Sequence, residues 1–373
     1  MKKQTPVWRH GTPPRTAVVL VNLGTPDAPT AAAVCRYLAE FLGDPRVVEI
    51  PRLIWLAILH GIILRVRPKK SAAKYATIWT DAGSPLLVHT QAQARLLAST
   101  LRQRGHDLIV TWAMRYAGNG PRSIPAVLEQ LRADNATRIL LLPMYPQYSA
   151  STTATAIDQA LNWVTTLRNQ PELRYVRNFA DDAGYINAIA SEIRSHWQKC
   201  TPPALPDPSY RLVMSFHGLP ERNLQLGDPY FCECHKTARL VAEALNLPAE
   251  SVVTTFQSRF GKAKWLQPYT EPTLIVLAKQ GVKRVDILCP GFVADCLETL
   301  EEINMEVRSA FLTAGGEHFH YLPCLNESPA WMNALADLAE RHLAGWPVTG
   351  TGAPTQEALE QQAARAKALG ALQ

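Results

Sequence analysis

Much that would assign this 373-residue chain at a glance is missing from it. No apolar stretch is long enough to cross a bilayer: the strongest, LIWLAILHGIIL at 53–64, runs for 12 residues and contains His60, whereas a spanning helix needs roughly 20. No basic run interleaved with aromatics is present, and the net charge of +6 is modest and scattered, which argues against nucleic acid and leaves anionic small molecules or a membrane surface as partners. The seven cysteines are odd in number and irregularly spaced, and no secretory leader precedes the first strand, so a reduced cytoplasmic setting is expected. Cys232, Cys234 and His235 have no second ligand pair at zinc-site spacing. The loop NLGTPDAPT holds one glycine where a dinucleotide fingerprint needs three, which disfavours a nucleotide there.

What remains is a globular composition, 47% hydrophobic and 19% charged, in a chain long enough for two domains. AVVLVNLG at 17–24 reads as a buried parallel strand stopped by Gly24-Thr25-Pro26, with a helix expected near 30–42. DLIVTWAMRY (107–116) and TRILLLPMY (137–145) read as further strands flanking a helix over 125–133. The alternation predicts an α/β fold with parallel sheets flanked by helices. The second half repeats the first: Thr111-Trp112-Ala113-Met114-Arg115-Tyr116-Ala117 is answered by Thr255-Phe256-Gln257-Ser258-Arg259-Phe260-Gly261. In each half a proline then opens a helix (Pro125, Pro272) and another ends a strand (Pro143, Pro290). Two similar α/β halves are expected, their strand ends facing one cleft. The expected divisions are a disordered arm at 1–15, halves at 16–170 and 171–345, and a peripheral tail at 346–373. The apolar run, extended to 53–68 and followed by Lys69 and Lys70, suits a lip over a pocket or an interfacial segment on anionic headgroups.

Chemistry concentrates at strand ends. In CPGFVADCLETLEEINMEV (289–307), Asp295, Glu298, Glu302 and Glu306 are spaced by three, four and four residues, which on a helix puts them on one face beside Cys296. Such a ladder is also what a solvated acidic face looks like. His217, in SFHGLPER, ends a buried strand of the same half, so His217 and Glu298 can face each other across the cleft. A histidine opposite a glutamate suits holding a borderline divalent metal or moving protons near neutral pH. YPQYSASTT (145–153) is a hydroxyl-rich wall or an ordinary turn. Arg115 and Arg259 are carboxylate forks or structural arginines.

With these residues in view, the chain resembles the ferrochelatases over residues 16–345. The resemblance is carried by VLVNLGTP, GSPL (83–86), YPQYSASTT, SFHGLPER, GDPYFCEC (227–234), FGKAKWLQPYT (260–270) and FVADCLETLEEI (292–303). It implies two Rossmann-like halves around a porphyrin cleft, the chelatase fold. It also implies insertion of ferrous iron into protoporphyrin IX with release of two protons, the last step of haem biosynthesis. Carried over residue by residue, His217 and Glu298 are the catalytic and metal-binding pair, and Asp295, Glu302 and Glu306 the outer acidic ladder. Arg115, Tyr145 and Trp265 line the porphyrin pocket, Ser84 meets a propionate, and residues 53–64 form the upper lip. Leu23 resembles the protoporphyrin users, where many coproporphyrin users carry tyrosine.

Cys296 stands where many relatives have histidine. Ala150 stands where cluster-bearing relatives have cysteine, and no cysteine follows Cys324. Four thiolates are the usual requirement, so neither an iron–sulfur cluster nor any other tightly bound cofactor is expected. Expected partners are protoporphyrin IX and ferrous iron, with peripheral contact on the inner face of the cytoplasmic membrane through 53–68, in a monomer or homodimer. The competing readings are a non-catalytic tetrapyrrole or metal carrier of the same fold, a coproporphyrin-specific chelatase, and a cobalt chelatase.

Overall fold

The computed structural model describes residues 9–200, 202–203, 206–261, 263–349 and 354–371. Among the described residues, eight strands form two four-stranded sheets. The first comprises β1 (Arg15–Asn22), β2 (Ile109–Met114), β3 (Ala136–Pro143) and β4 (Glu172–Tyr175), and the second β5 (Tyr210–His217), β6 (Val252–Gln257), β7 (Arg284–Leu288) and β8 (His318–Tyr321). The orders β2-β1-β3-β4 and β6-β5-β7-β8 are the same topology twice, and every pairing is parallel. The repeat read in the sequence is therefore a repeat in space. The central strands are apolar on both faces because helices cover both: β1 is buried from Thr16 to Asn22.

The expected helices form where capping and proline place them. Thr30 caps Ala31–Gly43 by accepting from the Ala33 N–H at 3.3 Å, and Pro125 sits in the first turn of Ile124–Ala133.

The divisions expected from the sequence need correction. β4 pairs with β3, so the first sheet extends past residue 170. Helix Pro329–Leu343 packs against Ala183–Lys199 and against Pro85–Gln103 of the first half. One apolar cluster joins Leu20, Leu97 and Trp112 to Met214, Phe216 and Leu335, so the halves share a core. The tail is stitched to the first sheet rather than peripheral: Thr16 Oγ1 donates to the Pro347 carbonyl at 2.8 Å, the Asp107 N–H to Val348 at 2.7 Å, and Trp346 Nε1 to Glu172 at 2.7 Å. Beyond it, helix Gln356–Ala368 buries only Leu359. Of the arm, residues 1–8 lie outside the described residues, while Asn135 Nδ2 holds the carbonyls of Thr12 and Pro13 at 3.1 and 3.0 Å.

Candidate active site

His217 is the last residue of β5, at the carboxyl edge of the second sheet. Its Nδ1 lies 2.7 Å from the Gly218 carbonyl. A carbonyl only accepts, so Nδ1 carries a proton, and in the neutral ring Nε2 keeps the lone pair. Position 218 leaves no room for a side chain without a local shift, because a Cβ there would stand 2.7 Å from the Gln257 carbonyl and 3.1 Å from Trp265. The Gly218 N–H ties the turn to Gln257 at 2.8 Å. The rings of Trp265 and Phe292 each lie 6.4 Å from the imidazole, giving it aromatic walls.

The acidic ladder departs from the sequence expectation. Asp295 precedes the helix, is buried, and accepts from Thr299 Oγ1 (2.9 Å), Asn326 Nδ2 (2.7 Å), the Cys324 N–H (3.3 Å) and the Tyr321 hydroxyl. Its oxygens are spent on the fold, so it is an anchor and not a rung. From Glu298 to Val307 the helix is of π type, a widened turn that recurs at functional sites. Glu298 and Glu302 are half-buried and Glu306 is exposed.

Each rung is held differently. The Glu298 carbonyl accepts from Gln257 Nε2 at 2.9 Å. Glu302 is gripped by Ser258, whose N–H reaches one carboxylate oxygen at 2.6 Å and whose hydroxyl reaches the other. Ser258 makes this grip in the left-handed conformation, φ +64°. Burial raises the Glu302 pKa, against the pull of the Ser258 hydrogen bonds and the His217 charge. Glu306 pairs with Lys74 at 2.8 Å, as does the buried Glu301 at 2.9 Å. Gln257, Ser258, Glu301 and Lys74 escaped the sequence reading. The first two stood inside the repeated Thr-aromatic-x-x-Arg motif, and that was the available signal.

Around Glu298 the chain gathers phenols and a thiol. The pKa values of Tyr37 and Tyr75 are raised first by burial, with the Glu298 charge adding to it. Burial and then Glu298 also raise the Cys296 thiol, which keeps it protonated and unlike a thiolate ligand.

The remaining sequence candidates divide. Tyr145 is half-buried, with its hydroxyl accepting the Leu23 N–H at 2.9 Å, so these two residues are coupled. Ser84 is buried at the start of helix Pro85–Gln103, and its hydroxyl makes no capping bond. Arg115 is turned inward: Nη2 meets Asp44 at 2.7 Å, and Nε meets Thr155 Oγ1 at 2.7 Å and its carbonyl at 3.1 Å. Its charge is matched by protein, as in a structural arginine. Arg259 is exposed, with its guanidinium 5.0 Å from the Tyr269 ring centroid. YPQYSASTT is clamped by the other half, since the Tyr148 N–H donates to Glu233 at 2.7 Å and the Ala150 N–H to Asp228 at 2.8 Å. That clamp explains the carboxylates of GDPYFCEC.

The lip is helical through Arg52–Ile58, a π turn at Leu59–Ile63, and Leu64–Ile78. Trp55 and Leu59 point inward and cluster with Leu38, Tyr75 and, from the carboxylate helix, Leu297 and Leu300. Leu53 (86% exposed), Ile54, Ile62 and Val66 point outward. Arg67 lies 4.4 Å above the Phe260 ring, joining the lip to the second half.

A family model described as Ferrochelatase matches residues 15–343. The chain belongs to the ferrochelatase family. It is a porphyrin-metallating lyase of haem synthesis, and neither a non-catalytic carrier of the same fold nor a coproporphyrin-specific chelatase is favoured. The ferrochelatase of Dechloromonas aromatica is 62% identical over 366 residues, covering 98% of each chain, and that of a Polaromonas species 60% over 371 residues, again 98% of each. Among solved structures, SirB from Bacillus subtilis, determined with Fe3+, matches at TM-score 0.53 and 13% identity, over 90% of this chain and 99% of that one. That likeness shows the chelatase fold. Among the described residues no helix is long and apolar enough to cross a membrane.

Proposed function

We propose that the cleft takes protoporphyrin IX and ferrous iron, and that His217 is the base that receives the pyrrole protons. A planar porphyrin turns two N–H groups toward the hole the metal must enter. The site must buckle the ring, accept two protons and strip water from the cation, and ring distortion sustained by remote contacts is an established device. The walls of Trp265 and Phe292 supply those contacts. His217 accepts through Nε2, Glu298 passes protons on to Glu302, and Glu306 delivers them to the surface. The raised pKa of Glu302 suits a group that must hold a proton in transit. The observation that carries this reading is the Nδ1 bond to Gly218, which leaves Nε2 as the open nitrogen.

Leu23 supports protoporphyrin over coproporphyrin. The exposed Leu53, Ile54, Ile62 and Val66, with Arg65, Lys69 and Lys70 beside them, support a lip that rests on an anionic bilayer. Ala150 and the cysteine-free sequence after Cys324 support catalysis without an iron–sulfur cluster.

The test is fluorescence of the metalloporphyrin formed from zinc and either porphyrin in air. Many turnovers with protoporphyrin and markedly fewer with coproporphyrin are expected. Stoichiometric binding without turnover, or a preference for coproporphyrin, refutes the reading.

A further inference from the structure

Away from the cleft, Asp286 on β7 lies in register with His320 on β8, so both side chains leave the sheet on the same face. The last turns of helix Ala183–Lys199 bring His196 over them. Asp286 is fully buried. Its Oδ2 accepts from Trp197 Nε1 (2.8 Å), the Tyr210 hydroxyl (3.1 Å) and Arg284 Nη2 (3.0 Å), and its Oδ1 from Arg284 Nε (3.1 Å) and His320 Nδ1 (2.8 Å). His196 Nε2 is the atom left over. It is buried, makes no hydrogen bond, and stands 3.9 Å from Asp286 Oδ1.

A buried ring nitrogen turned toward a carboxylate, yet too far to bond it, calls for a group between the two. One ligand atom from each of His196, Asp286 and His320 lies within 4.8 Å of the others. Two donors at 2.0–2.1 Å from a zinc-like ion can be at most about 4.2 Å apart. That limit accommodates the 3.9 Å and 2.8 Å separations from Asp286, while the His196–His320 pair, bounded at 4.8 Å, must close to within it when the ion binds. Two imidazoles and one carboxylate select zinc, cobalt or nickel over magnesium or calcium. The carboxyl-terminal end of helix Ala183–Lys199 favours a cation through the helix dipole. Arg284 opposes it, since its guanidinium already balances the Asp286 charge, so the affinity rests mainly on the two nitrogens.

We propose that His196, Asp286 and His320 form a structural site for a borderline divalent cation, separate from the porphyrin cleft. The bound ion takes the place of the proton on His320 Nδ1, and the neutral ring keeps its one proton on Nε2. This inference does not depend on the roles assigned to His217 and Glu298.

The experiment is a Co2+ titration of the full-length protein, followed by visible absorption and by equilibrium dialysis. His217→Ala serves as the control that removes the cleft's contribution. One equivalent of Co2+ is expected to survive His217→Ala and to be lost in His196→Ala and in His320→Ala, with circular dichroism unchanged. Should His320→Ala fail to fold, His196→Gln decides the matter: it removes a ligand that makes no hydrogen bond through Nε2, and the same equivalent is expected to vanish. Co2+ binding that depends only on His217, or an equivalent that persists through the His196 substitutions, overturns the proposal.

Discussion

At the scale of single residues, the carboxylates of one sequence run do different work because their surroundings differ. Asp295 is saturated by four protein donors, so Asp295→Asn should destabilise the fold by about 1–3 kcal/mol, the cost of an unsatisfied buried polar group. Urea unfolding checks this. A variant with native stability contradicts the anchor role. Glu302 has a raised pKa, with burial as the first cause, so folding favours its protonated form. The stability from that preference is present below the ordinary glutamate pKa and is lost as pH rises through the raised folded value. Wild type should therefore lose stability relative to Glu302→Gln across that interval, and parallel stability curves for the two proteins contradict it. Gly218→Ala is expected to leave the protein folded but slow metallation about 10²-fold by displacing His217, since the new Cβ meets the Gln257 carbonyl at 2.7 Å.

At the scale of elements, Lys74 binds the lip to the carboxylate helix through Glu301 and Glu306. Lys74→Met should cost about 1 kcal/mol, more than an ordinary surface pair, because Glu301 is buried and would lose its partner. Adding Glu301→Gln should recover most of the loss in a double-mutant cycle, and additivity would show that the pair is uncoupled. The central strands and the twofold repeat were legible in the sequence, because buried parallel strands read as continuous apolar runs and the Thr111 and Thr255 motifs marked equivalent positions; the strand order and the short edge strands β4 and β8 were not. The ladder was legible in its residues and not in its geometry. Side-chain spacing reports an α periodicity and carries no sign of the π turn from Glu298 to Val307. Nor does it show that Asp295 falls outside the helix, a placement fixed by Tyr321 and Asn326 far along the chain. Arg115 looked like a carboxylate fork because its partner, Asp44, is distant in sequence.

At the scale of the whole molecule, two copies of one α/β topology meet over a shared core, and their carboxyl edges supply complementary parts. The second half contributes His217 and the carboxylate helix, while the first contributes the Tyr145 loop and the lip. The lip's outward stripe of Leu53, Ile54, Ile62 and Val66 is apolar surface not used by the fold. Replacing Leu53, Ile54 and Ile62 with serine should lower co-sedimentation with anionic vesicles more than about tenfold, given about 1.5–3 kcal/mol for each side chain buried, while sparing turnover of detergent-dispersed porphyrin. Unchanged vesicle binding would remove the lip from the membrane contact.

The central claim is that His217 Nε2 takes protons from the bound porphyrin. It is tested most directly by zinc insertion into protoporphyrin in His217→Ala, with porphyrin binding followed in parallel by fluorescence quenching. A fall of at least about 10²–10⁴-fold, the range for loss of a general base, with porphyrin affinity largely retained, is the result predicted. Wild-type turnover in that variant would contradict it.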